Sequence, residues 1–518
     1  MEDAFTVTAV PPKKPVVTLV KPSRGKPGTR VVIEGEHFGN PRGPSYVSFN
    51  GAEASQYLTW SESRIVAEVP QGATSGPVTV VTPHGRSNGD HRFELAYPTW
   101  YLAEGSCAWG FSTYISIMNP NPVEVTARIT YMTPPADDGM GKVIERKVKL
   151  PPDSLTTVDP GSDLGWEVDF ATRVDCLEGL TIAVDRTMYW TGNGAASPEG
   201  HSSCGINLPS RTWYLPEGSS AWGFECWLLI QNPNGRPAHC NITYMVEGGL
   251  PRTVKKTVGA YSRATYNMGD EVGAADASIK VDSDIPIIPE RSMYRNRRRL
   301  GQGSIGSTDP STDFYLAEGT TAWGFTTYIL VQNPNDAPAE VTLTYMTPEG
   351  AVTQMPFAMP SNSRKTIRTN DMLPPVDFST QVHGSLPIIA ERSMYWESKS
   401  GEACHDSIGL ASPHYQFYLP DGQTSGGRET FILVANPNMA PVEVEVCYMR
   451  QSGRFLTSIR REIPPHSRTT FNMADQVSSG RASVMVVSRT PGMKILAERS
   501  MYWNSRGAGT GTVGGFSD

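Results

Sequence analysis

Two acidic residues recur together along this chain of 518 residues. One precedes a glycine, as Glu104, Glu217, Glu318 and Asp421. The other precedes an arginine, as Asp185, Glu290, Glu391 and Glu498. Two carboxylates at a suitable separation can act as general acid and base on a glycosidic bond. Four tandem copies of one catalytic site would be unusual, and no flanking motif is that of a glycosidase. No catalytic residue is assigned, and the chain is read as a non-enzyme. A second candidate, Gly-His-Ser-Ser-Cys-Gly at 200–205, fails on spacing. A nucleophile elbow needs glycines two before and two after its serine. Related stretches at 302–306, 405–409 and 511–514 lack the histidine in two of the three, so the segment reads as a link between repeats. The nine histidines are dispersed and the seven cysteines include no CxxC, so no metal or cofactor is expected. Cys226 and Cys240 flank a predicted hairpin and are the candidate disulfide, the alternative being two buried free thiols.

A structural task for the acids follows from what accompanies them. Neighbouring side chains on a strand face opposite sides, so one member of each Glu-Arg pair points towards the core. An inward carboxylate needs a partner or costs several kcal/mol. Three repeats carry an arginine upstream, Arg263, Arg364 and Arg468; repeat 1 has Leu155 there, and also has the shorter Asp185. The co-variation predicts cross-strand pairs within each repeat: Arg263–Glu290, Arg364–Glu391 and Arg468–Glu498. The aromatics pose a different choice. Trp109, Trp222 and Trp323 lie in Ala-Trp-Gly-Phe segments, and Tyr189 and Tyr395 lie in the closing Met-Tyr-Trp segments. Flat rings with a few polar groups bind sugars by stacking. The alternative is that they plug the ends or joints of the repeats. Repeat 4 has Gly426 in place of the tryptophan.

These residues must be positioned by something that repeats about every hundred residues, a domain-sized period. Copies open at Trp100, Trp213, Phe314 and Phe417 and close at Asp185–Trp190, Glu290–Arg295, Glu391–Trp396 and Glu498–Trp503. Within repeat 3, Val341, Leu343 and Tyr345 alternate with polar residues, the period of a strand. An Asn-Pro-Asn turn recurs at 119–121, 232–234, 333–335 and 436–438. No sustained helical stripe is present, so helices should be few and short. The predicted boundaries are a leader over 1–15, a first domain over 16–97, and repeats over 98–210, 211–311, 312–414 and 415–518.

Residues 16–97 also read as short strands between glycine and proline turns. The order PSRGKPGTRVVIEGEHFG, VSFNGAEAS, VPQGATSGPVTVVTPHGRS resembles the IPT/TIG immunoglobulin-like domain. The resemblance implies a β-sandwich whose glycines serve turns, and a fold found in surface proteins, receptors and transcription factors. The four repeats resemble uncharacterised tandem domains of secreted bacterial proteins. The fold class is therefore all-β, with five tandem immunoglobulin-like sandwiches in an elongated array. A net charge of −7 argues against nucleic acid as the main partner, and no apolar run is long enough to span a bilayer. The basic run Arg295–Arg299 reads as a solvated loop. The expected role is a non-enzymatic extracellular or cell-surface protein, adhesive or structural, with filament formation and self-association as specific versions. The alternative is a carbohydrate-binding array on a polysaccharide- or wall-acting protein. Protein or surface polysaccharide is the expected partner.

Overall fold

A computed structural model describes residues 13–517 apart from 71, 72, 74, 75, 96, 97, 193–197, 400, 452 and 454. Most of the leader therefore lies outside the described residues. The structure is all-β, and its helices are one-turn pieces such as Gly161–Leu164 and Met268–Val272. Two compact units are present. One holds the chain to Thr99 with Asp175–Leu180; the other holds Trp100–Val174 and everything from Thr181 onward.

In the first unit, Val16–Lys21, Arg30–Glu36, Arg64–Glu68 and Tyr57–Trp60 form one sheet. The facing sheet is built on Gly76–Thr82, flanked by Tyr46–Phe49 and Arg92–Leu95. Alternate residues of both sheets, among them Val31, Ile33, Phe49, Ile65, Val78 and Val80, are buried between them. Gly35 is required by close approach: a Cβ there would lie 1.9 Å from the Val16 carbonyl oxygen.

The second unit contains the four repeats, each with one plan of two sheets, four-stranded in repeats 1 and 2 and with a short fifth strand added to one sheet in repeats 3 and 4. In repeat 1 the first sheet orders Thr99–Leu102, Ala171–Cys176, Val125–Pro135 and Gly141–Leu150. The second orders Ser154–Val158, Ser112–Asn119, Ala183–Trp190 and Glu199–Cys204. In repeats 2 and 3 a single long strand, Ala277–Arg295 or Ser379–Ser398, serves both sheets. The Asn-Pro-Asn segments are the expected turns. The first asparagine is fully buried, and in repeat 3 the Asn333 amide donates to the carbonyls of Ala337, Met359 and Pro360. Asn119, Asn232 and Asn436 make the same three-carbonyl cradle.

The sandwich reading of the repeats holds; how they join is a further finding. The strand that follows the closing strand of each repeat, Glu199–Cys204, Leu300–Ile305, Gly401–Ile408 or Ala508–Val513, contacts its counterpart in the next repeat, and the fourth contacts the first. The four repeats thus close on one another around these linking strands. The physical reason is apolar continuity: one buried cluster runs from Tyr101 and Ala103 through repeat 2 into repeat 3, and Ala317 and Leu410 join the core of repeat 4. Along the axis, three residues from each linking strand line a cavity of about 10 Å³, room for roughly one water. The candidate disulfide is not formed. All seven cysteines are free and buried, and Cys226 and Cys240 lie on strands of different sheets.

Candidate functional site: three clefts between repeats

The arginine that follows each acid organises the joints. Its sheet face is covered by the next repeat, so both members of each Glu-Arg dipeptide are buried. Arg186 of repeat 1 reaches Glu290 of repeat 2 and lies 3.2 Å from Glu104. Arg392 of repeat 3 lies 3.0 Å from both Glu318 and Glu498. Arg291 of repeat 2 meets Glu391 at 2.8 Å and also Asp406. Arg499 of repeat 4 closes the cycle on Asp185 of repeat 1 at 3.0 Å. The partner of each carboxylate is therefore the neighbouring repeat's arginine. This corrects the predicted pairs Arg263–Glu290, Arg364–Glu391 and Arg468–Glu498. Those three arginines instead cross to the preceding repeat, donating to the carbonyls of Gly105, Gly218 and Gly319. Repeat 1 has Leu155 at that position. The missing cation is replaced from the other side, because Arg481 of repeat 4 binds Asp421 at 2.7 Å and Ser116 at 3.3 Å.

Burial sets the ionisation of this layer. It pushes the Asp185 carboxyl up to about 7 against the pull of Arg499. Glu391 is likewise pushed up to about 7 by burial, opposed by Arg291 and assisted by Asp406. His201 and His405, on the linking strands, are held neutral. Burial lowers both, beside Arg186 and Arg392 respectively, and His405 falls to about 4. Their rings lie against these arginines at 3.1 and 3.2 Å and against the hydroxyls of Tyr294 and Tyr502 at 3.2 and 3.0 Å. Repeat 2 has Gln302 at the matching position, donating to the Tyr395 hydroxyl at 3.0 Å.

Above this layer three joints open into clefts. Between repeats 1 and 2 a cleft of about 360 Å³ is lined by Glu104, Trp109, Phe111, Asp169, Arg263, Tyr294 and Arg298 among others. Between repeats 2 and 3 the volume is about 720 Å³, with Glu217, Trp222, Phe224, Asp276, Arg364 and Tyr395 in the matching places. Between repeats 3 and 4 it is about 320 Å³, with Glu318, Trp323, Phe325, Asp377, Arg468 and Tyr502. The tryptophans at the rims are 73%, 72% and 79% exposed, so they belong to the solvent face and not to a core. Each has left-handed backbone, with φ of 58°, 56° and 59°. A bulky side chain pays for that conformation where glycine does not. Repeat 4 has Gly426 there, with φ of 64°. The Trp222 indole N–H donates to Asp276 at 3.0 Å, which fixes the ring.

The fourth joint is built differently. Arg428 takes the place of the phenylalanines and stacks on Tyr189 and Trp503, 5.5 and 5.6 Å from their ring centres. Tyr189 is thus a joint residue, packed on Trp503 of repeat 4 at 5.6 Å. Tyr395 lines a cleft and also packs on Phe224 across the joint at 6.2 Å. The tryptophans of the closing strands are latches, since Trp190, Trp396 and Trp503 donate to the carbonyls of Arg298, Arg506 and Pro198 in the adjoining repeats. No group of three or more His, Cys, Asp or Glu among the described residues is placed to hold a metal ion. No helix among them is long and apolar enough to cross a membrane.

Residues 15–94 match the family model of the IPT/TIG domain. The N-terminal body is an IPT/TIG domain. Later in the chain, residues 301–373 match a family of unknown function, DUF5719. No curated protein matches the chain. Among solved structures, a Thermotoga maritima protein, 1070, is 20% identical over 19% of this chain and 94% of its own, with a TM-score of 0.18. The Anabaena sensory rhodopsin transducer is 25% identical over 16% of this chain and 93% of its own, with a TM-score of 0.15. An auxiliary nutrient binding protein from Bacteroides ovatus is 17% identical over 36% of this chain and 46% of its own, with a TM-score of 0.16. At these TM-scores the likenesses have no bearing on ligand or partner.

Proposed function

We propose that this is a non-enzymatic, surface-associated or secreted protein whose four repeats form a platform for polysaccharide, held at three clefts of one plan. The observation that carries the reading is the exposed tryptophan at three cleft rims, in a backbone conformation that the fourth repeat fills with glycine. A residue kept against local strain, with its ring in solvent, serves something other than the fold. An indole beside carboxylate, guanidinium and hydroxyl groups is the combination that stacks on a sugar's apolar face and bonds its hydroxyls. The acids at the cleft bases favour binding over catalysis, because Glu104 and Glu318 are held by Arg186 and Arg392. Three weak sites on one chain gain through multivalency, by about a hundred-fold or more when a long ligand spans them. The closing of the repeats on one another suits a platform better than a spacer.

The test is glycan-array binding by the full chain and by the triple variant Trp109→Gly, Trp222→Gly, Trp323→Gly. The reading expects polysaccharide binding that falls by about a hundred-fold in the variant. Undiminished binding by a folded triple variant would overturn it.

A further inference from the structure

The three clefts share one plan but not one charge. The cleft between repeats 1 and 2 is lined by two acids, Glu104 and Asp169, and two arginines, Arg263 and Arg298. Between repeats 3 and 4 the count is again two against two, Glu318 and Asp377 with Arg468 and Arg506. Between repeats 2 and 3 four acids, Glu217, Asp276, Glu397 and Glu402, face two arginines, Arg295 and Arg364. This is also the largest of the three, at about 720 Å³.

The excess is built in. In the smaller clefts an arginine of the turn after the closing strand covers the aromatic floor. Arg298 lies 5.5 Å from Phe111 and 5.6 Å from Tyr294, and Arg506 lies 5.6 Å from Phe431 and 5.8 Å from Tyr502. In the large cleft Arg295 of repeat 2 lies 5.1 Å from Phe224, but repeat 3 brings no such arginine; the strands flanking its turn present Glu397 and Glu402, directly opposite each other. Like charges so placed repel. Arg295 and Asn296 meet Glu402 at 3.2 and 2.9 Å, while no described residue forms a salt bridge with Glu397. The layer beneath repeats the pattern. Arg291 spends its charge on Glu391 and on Asp406, which replaces the Ser202, Gly303 and Gly511 of the other linking strands. Glu217, at the cleft base, therefore lacks the close arginine that Glu104 and Glu318 have, and its nearest cation is Arg364 at 3.8 Å.

We infer that the cleft between repeats 2 and 3 takes the ammonium group of an amino sugar, a saccharide residue with a free cationic amine. The inference rests on the carbohydrate reading above and assigns this one cleft a distinct ligand. Carboxylates at the base and rim accept charge-assisted hydrogen bonds from an ammonium. Trp222, Tyr328 and Tyr395 line the same space, and aromatic rings attract a cation through their quadrupoles. A neutral residue in this cleft would leave Glu397, and Glu217 with only the more distant Arg364, partly desolvated with nothing gained, which makes the cleft favour the cation over it.

The test titrates the full chain, by calorimetry at mildly acidic pH, with a deacetylated glucosamine oligosaccharide and with its N-acetylated counterpart. The deacetylated ligand should bind about ten-fold tighter, and the advantage should shrink at high salt. Glu397→Gln, an exposed change that leaves the core untouched, should remove most of that advantage, and Trp222→Gly should weaken the amine-bearing ligand by about ten-fold. Equal binding of the two ligands overturns the inference while leaving the multivalent carbohydrate reading in place. So does an amine preference that survives both substitutions. Binding of neither these nor any other saccharide overturns both.

Discussion

Trp109, Trp222 and Trp323 sit where the local backbone is served best by glycine, and that makes a separation of stability from binding measurable. Replacing each by glycine relieves the left-handed strain of a bulky residue, worth about 1–2 kcal/mol, against a glycine entropy cost of about 1 kcal/mol. Unfolding midpoints of the three variants should therefore match or exceed that of the parent in denaturant titration. A loss of more than about 2 kcal/mol would show that the rings are structural. His405 gives a second residue-scale prediction. Its folded value is about 4 against an ordinary 6.5, through burial and the adjacent Arg392. A depressed group contributes stability that is present above 6.5 and is lost as pH falls towards 4. Asp185 and Glu391, raised to about 7, act in the opposite direction, their contribution being present at low pH and lost as pH rises through 7. The comparison with His405→Gln isolates the histidine, and Gln302 shows that the position accepts glutamine. The variant should gain on the parent by about 2–3 kcal/mol between pH 7 and pH 4. Parallel pH profiles of thermal unfolding would refute it.

At the scale of strands and joints, the buried arginines decide how repeats are held. Removing one partner of a buried ion pair costs about 3–5 kcal/mol, and only true partners couple in a double-mutant cycle. Arg392→Met with Glu498→Gln should show coupling of about 2 kcal/mol or more, while Arg468→Met with Glu498→Gln should be nearly additive. The reverse ranking in urea unfolding would restore the within-repeat pair. Much of this scale was legible in the chain. Alternation in stretches such as Val341–Tyr345, the four Asn-Pro-Asn turns and the closing Met-Tyr-Trp segments marked strands and turns. The co-variation of Leu155 with Asp185 suggested a within-repeat pair, whereas Asp185 is held by Arg499 of repeat 4 and position 155 simply lacks a cation. Its replacement, Arg481, lies in another repeat and could not be paired by inspection. The ion-pair partners were missed for a similar reason. Both residues of a Glu-Arg dipeptide are buried because a second repeat covers the outer sheet face, and alternation along one strand cannot reveal a covering made by its neighbour.

For the whole molecule, the question is what the closing of four repeats on one another accomplishes. It buries the linking strands together and holds three rim tryptophans in fixed relation, while the fourth joint, with Gly426 and Arg428, is spent on closure. An account built on a row of independent bodies would place affinity in each repeat separately. Here every cleft takes its walls from two repeats, so binding belongs to the assembled unit. The most direct measurement is the number of short oligosaccharides bound per chain at saturation, counted by native mass spectrometry on the full chain and on the single tryptophan-to-glycine variants. The account predicts three per chain and two in each variant. A parent chain that binds four, or whose stoichiometry does not change when a tryptophan is removed, would contradict it.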